Sequence, residues 1–231
     1  MDNTISTMGQ DAIAQAQTQF LSKVYAWMFG GLLLTAFTAW YVFDSGMYVT
    51  VYSSGLIFPL IIGELILVFV LSARIEKMAR TTASLLFLGY SLLNGITLSV
   101  ILAAYTLESI QEVFFITAAM FAALSAYGYF TKKSLSGIGS FLFMGLIGII
   151  IAGFVNIFMA SSALSFAISV IGVVVFAGLT AYDTQRLKNM YVLMYENEDT
   201  AAKGAIIGAL QLYLDFINLF LFLLRLFGNR D

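Results

Sequence analysis

Long apolar runs separated by polar breaks follow one another along this chain. Seven can be delimited: Val24–Phe43, Ser54–Leu71, Ala83–Tyr105, Val113–Phe130, Ile138–Ala160, Leu164–Tyr182 and Gly204–Phe227. Each is long enough for a helix to cross a bilayer core of about 30 Å. The pattern predicts an all-α integral membrane protein, a seven-transmembrane helical bundle. Residues 1–23 are polar, rich in Gln, Thr and Ala, and read as a short N-terminal tail. They lack the basic-then-apolar layout of a signal peptide. Residues 24–228 then form the transmembrane domain, with no room for a soluble one. The longest break, Asp183–Lys203, reads as a charged loop. Pro59, the single proline, predicts a kink in the second run.

The seventh run breaks its own rule. Asp215 stands about eleven residues into it, roughly 16 Å along a helix. A carboxylate at bilayer depth costs roughly 2.5–3.5 kcal/mol. It needs a partner charge, a watered cavity, a proton or a cation. Gly204, Gly208, Gln211, Asp215 and Asn218 follow at steps of four, three, four and three. At about 100° per residue they share one stripe. The glycines alone would suit a packing face; Gln, Asp and Asn add a polar one. The sixth run carries a comparable stripe: Ser165, Ser169, Gly172, Thr180 and Asp183.

Composition sharpens this. The chain is 61% hydrophobic and 10% charged, far from a soluble domain. No basic patch exists to hold nucleic acid. Cysteine and histidine are both absent. Disulfides, thiol chemistry and the usual proton shuttle are therefore excluded, and any pH response must come from carboxylates. Lys and Arg alternate by loop. Arg74, Lys77 and Arg80 follow the second run, Lys132 and Lys133 the fourth, and Arg186, Lys188 and Lys203 the sixth. The other loops carry none. By the positive-inside rule the N-terminus is cytoplasmic. Arg225 and Arg230 near the end strain that rule and leave open a re-entrant seventh segment. Trp27, Trp40, Tyr41, Tyr48 and Tyr52 read as interface anchors.

Four ionisable residues are candidates for chemistry: Glu64, Arg74, Asp183 and Asp215. If the polar stripes of the sixth and seventh runs face each other, Asp183 and Asp215 meet. Two carboxylates in contact titrate as a unit; they can share a proton or accept a hard cation through oxygen. They meet only if the sixth helix continues past Tyr182 or the seventh begins below the membrane surface. Arg74, ending the second run, can pair with either Asp or simply snorkel. Glu64 is a further stop on an ion path, or a protonated, hydrogen-bonded acid.

GLTAYDTQRLK (Gly178–Lys188) and LYLDFINLFLFLLRLFG (Leu212–Gly228) resemble the signature regions of the Bax inhibitor-1 family. The resemblance extends over the whole chain, including the paired lysines at Lys132 and Lys133. It implies a bundle whose seventh helix is central, wrapped by the other six. It implies a pH-sensitive calcium leak controlled by an Asp pair at Asp183 and Asp215, which would be its calcium and proton site. It matches Arg74 to an arginine that pairs with the Asp pair, and Glu64 to a helix-two glutamate. The GNRD ending lacks the basic tail of animal members, so the chain resembles a bacterial inner-membrane one.

Three function classes follow. One is a pH-gated calcium or cation leak with no resident cofactor, its partners the lipid bilayer, calcium and protons. Another is a regulatory membrane protein that modulates a membrane-anchored AAA protease or another membrane complex. An enzyme is the poorest fit. Asp215 follows Tyr213-Leu214 where intramembrane aspartyl proteases need Gly-x-Gly-Asp, and no Gly-x-Ser-x-Gly motif is present.

Overall fold

The computed structural model describes residues 2–194 and 198–230. In chain order the helices are α1 (Asp2–Asp44), α2 (Met47–Ser53), α3 (Ile57–Arg74), α4 (Arg80–Ala104), α5 (Leu107–Phe130), α6 (Ser136–Met159), α7 (Ser162–Met194) and α8 (Glu198–Phe227). Seven of them, all but the short α2, are long and apolar enough to cross a membrane. The chain is an all-α membrane protein.

Three features depart from the sequence pattern. The polar residues before Val24 are helical and run straight into the first span, giving α1 43 residues. The stretch Asp183–Lys203, expected as a loop, is helical at both ends: α7 continues to Met194 and α8 begins at Glu198. Pro59 causes no interior kink. It lies in the first turn of α3, where a backbone N–H has no intrahelical acceptor to lose.

Exposure sorts the spans. In α8, 61% of the apolar window is buried, against 6% in α3 and 11% in α6. The seventh span is thus the enclosed one. Its burial is not confined to the Gly–Gln–Asp–Asn stripe. Ile206, Leu210, Leu212, Leu219 and Leu224 are buried as well, as befits a helix that is apolar nearly all round. Phe58, Phe69 and Phe158 on α3 and α6 stand outward, a surface suited to lipid tails. Trp40, Tyr41 and Tyr52 are exposed as anchors should be. Trp27 instead packs edge-on against Phe87, ring centroids 6.1 Å apart.

The chain divides into two compact units. The first holds residues 1–101 and 186–213. Within it, α1 and α4 approach closely where side chains are smallest. A Cβ on Gly95 would stand 2.7 Å from the Thr35 carbonyl oxygen, and one on Gly31 would stand 2.6 Å from the Phe87 ring. Tyr213 sits edge-on to both Phe87 and Tyr90, with centroids at 6.1 and 5.6 Å.

The second unit holds residues 102–185 and 214–231. Phe216 of α8 packs edge-on against Phe114 and Phe121 of α5, at 5.6 and 5.5 Å. Gly128 of α5 lies against the Ala181 carbonyl of α7, and Gly139 of α6 against the Tyr182 ring. Gly172 of α7 leaves room for the Phe222 ring of α8. Gly128 and Gly139 bring α5 and α6 close to the stretch of α7 that carries Asp183, and Gly172 lets α8 approach α7 about three turns earlier. After α8, the Asn229 amide donates to Ser109 Oγ at 3.0 Å, and its carbonyl accepts from the Thr106 amide at 3.1 Å. α8 is therefore a continuous helix whose end is tied to the α4–α5 turn. Nothing in it has the broken backbone of a re-entrant segment.

Candidate functional site

Two carboxyls meet in the second unit. The carboxyls of Asp183 on α7 and Asp215 on α8 stand close enough to interact directly. The meeting depends on α7 running past Tyr182, which it does by about three turns, helped by good helix formers such as Gln185, Arg186, Leu187 and Lys188. Asp215 is 4% exposed, and its Oδ2 has no hydrogen-bond partner among the described residues. Asp183 is half-buried. Two carboxyls in contact share a hydrogen bond when one proton lies between them. Without it, two like charges stand in contact in an enclosed site.

The neighbours of the pair are held by hydrogen bonds. Thr184, next to Asp183, donates to the Thr180 carbonyl at 2.8 Å and lies 3.4 Å from Ser125 Oγ of α5. Gln185 bridges outward: its Oε1 accepts from the Leu135 amide and its Nε2 donates to the Lys133 carbonyl, both at 2.8 Å. Asn218, one turn beyond Asp215, donates one amide hydrogen to the Leu214 carbonyl of its own helix at 2.8 Å.

Glu64 and Arg74 belong to the first unit. Arg74 is exposed in the last turn of α3 and makes no ion pair among the described residues. Glu64 is half-buried and held twice. Asn94 Nδ2 donates to its Oε2 at 3.2 Å, and Thr97 Oγ1 donates to its Oε1 at 2.7 Å. The network continues inward. The Tyr213 hydroxyl donates to Asn94 Oδ1 at 3.0 Å and lies 2.6 Å from Thr35 Oγ1, which donates to the Ser91 carbonyl at 2.8 Å. Sequence reasoning singled out Glu64 but not Asn94, Tyr213 or Thr35. Asn94 carried the available signal, an amide in the middle of an apolar run.

No group of three or more His, Cys, Asp or Glu side chains able to hold a metal occurs among the described residues. The Asp pair alone offers up to four oxygens, short of the roughly six to eight that calcium takes.

The family model described as Inhibitor of apoptosis-promoting Bax1 matches residues 17–231. The chain is 51% identical over 227 residues to the inner membrane protein YbhL of Escherichia coli K12, covering 95% of this chain and 97% of that protein. It is 42% identical over 233 residues to an uncharacterized protein of Deinococcus radiodurans, covering 98% and 100%. An uncharacterized membrane protein of Streptococcus pyogenes serotype M1 is 41% identical over 218 residues, covering 92% and 93%.

Proposed function

Because the chain belongs to the Bax inhibitor-1 family, we propose that it is a pH-sensitive cation leak, with calcium as cargo and Asp183–Asp215 as the proton sensor. One observation carries this reading: two carboxyls come together at a site where one is almost fully enclosed. With a proton between them they hold α7 to α8. Without it they repel, and the same oxygens become ligands for a hard cation. Having too few oxygens for a resident calcium ion suits passage better than storage. No covalent chemistry is needed.

The reading includes location. A 51% identical relative bears the name inner membrane protein. The Lys and Arg alternation favours a multi-pass protein of the bacterial inner membrane with a cytoplasmic N-terminus. The test is calcium flux into proteoliposomes of the purified chain, from about pH 5 to 8 at constant ionic strength. The parent should show flux that changes across this range. Asp215→Asn should lose most of that change. If it keeps the parent's flux and profile, the carboxyl sensor is wrong, and regulation of a membrane-anchored AAA protease or another membrane complex becomes the leading function.

A further inference from the structure

The second unit contains a polar cavity that the Asp pair does not use. It is an open recess of about 440 Å³ where α8 ends and α7 begins. Its polar lining includes Asn156, Ser161, Ser162, Ser165, Arg225 and Arg230, and no carboxylate. Neither arginine has an acidic partner among the described residues. Each is instead placed by an aromatic ring. The Arg225 guanidinium lies 5.9 Å from the Phe222 centroid. That of Arg230 lies 5.5 Å from the Tyr105 centroid and donates to the Tyr105 hydroxyl at 3.5 Å.

The rest of the lining adds donors. Ser161 caps α7, its hydroxyl accepting from the Leu164 amide at 3.3 Å, so the positive end of a 33-residue helix opens here. Asn156 Oδ1 is taken by the Ser161 amide at 3.0 Å. Its nitrogen remains as a donor. The serine hydroxyls complete a concave surface carrying two full positive charges.

These cations are also on an unexpected side. The end of α8 is tied to the α4–α5 turn through Asn229. Neither that turn nor the α6–α7 turn carries Lys or Arg. Loop-charge bias would leave this end bare of positive charge. Something other than topology accounts for Arg225 and Arg230.

We propose that this cavity binds a phosphate group through Arg225 and Arg230. Guanidinium forks match phosphate oxygens in bidentate geometry, and serine hydroxyls and a helix N-terminus add donors of the right kind. The phosphate is borne by a membrane lipid headgroup or is free. The lipid source has a surface beside it: Phe166, which lines the cavity, is exposed and apolar.

The test uses the full chain, purified in a non-ionic detergent. Probes are dihexanoylphosphatidylglycerol, inorganic phosphate and dihexanoylglycerol, which lacks the phosphate. Binding is followed by intrinsic fluorescence and by the shift of the thermal midpoint. Phosphatidylglycerol should bind saturably and dihexanoylglycerol should not. Arg225→Gln and Arg230→Gln should each weaken binding about tenfold, the worth of a lost charge-assisted contact. The Lys variants should recover part of it as point charges. Both arginines are exposed, so helix content by circular dichroism should be unchanged; it is measured to separate lost binding from lost fold. Tighter binding of phosphatidylglycerol than of inorganic phosphate assigns a lipid; equal binding assigns free phosphate. The site is overturned if neither phosphate probe saturates, or if the Arg225→Gln/Arg230→Gln double variant, folded by that criterion, binds like the parent.

Discussion

A Cβ on Gly208 of α8 would stand 2.7 Å from Leu187 Cδ2 of α7. Val24 of α1 lies on the same spot, 3.3 Å away. All three residues are buried in the first unit. The glycine is therefore there for contact, not flexibility. Gly208→Leu should lower stability by about 1–3 kcal/mol or more, the usual cost of overpacking. Ile207→Leu, at a half-buried neighbour, should be close to neutral. Thermal midpoints in detergent compare them, and equal midpoints would contradict the close α7–α8 contact.

The Asp pair should act as one titrating unit. Replacing either member with Asn removes the like-charge repulsion, so the second replacement has little left to remove. Asp183→Asn, Asp215→Asn and the double variant should all lose most of the pH response of calcium flux. The double should be only marginally worse than the more damaging single. Additive losses would mean two separate sites.

Glu64 allows a test by counting hydrogens. Four contacts in series lead from Glu64 through Asn94, Tyr213 and Thr35 to the Ser91 carbonyl. The Asn94 amide, the Tyr213 hydroxyl and the Thr35 hydroxyl supply one hydrogen each along this path. The fourth can come from residue 64, with the Asn94 amide rotated half a turn. Glutamine supplies it; an ionised carboxylate does not. Glu64→Gln should match or exceed the parent's stability. Glu64→Ala should lose about 1–3 kcal/mol, because Asn94 and Thr97 lose a partner. Should Glu64→Gln prove as damaging as Glu64→Ala, the count is wrong.

Topology can be tested in a chain without cysteine. Ser134 and Glu108 are exposed on either side of the proposed membrane. Ser109 is unsuitable, being buried against the Asn229 amide. An impermeant thiol reagent added to intact cells should modify Glu108→Cys and Asn229→Cys and spare Ser134→Cys. Labelling of Ser134→Cys would reverse the orientation. Opposite results at residues 108 and 229 would refute α8 as a full span.

Hydropathy revealed the cores of the spans because lipid forbids polar residues there. It was silent on their lengths. Beyond Tyr182, α7 leaves the apolar regime, so Gln185, Arg186 and Lys188 look like loop although they are good helix formers. That continuation is what lets Asp183 reach Asp215. Each carboxyl was visible alone, because a charge at depth demands a reason; their contact needed the helix register. The Glu64 network was less visible. Thr35 and Tyr213 are 178 residues apart in sequence. A Thr or a Tyr in an apolar run needs no explanation until its partner is placed. Pro59 misled because its distance from the true start of α3 was unknown.

Gln185 has a mechanical consequence. Its two bonds fasten the Lys132–Lys133 turn to α7 two residues from Asp183. Any rotation or slide of α7 at the pair must drag that turn along or tear it free. The turn is exposed and carries adjacent trypsin cleavage points. The rate of nicking there becomes a label-free reporter of the state of a buried carboxyl, readable on a gel without measuring an ion at all.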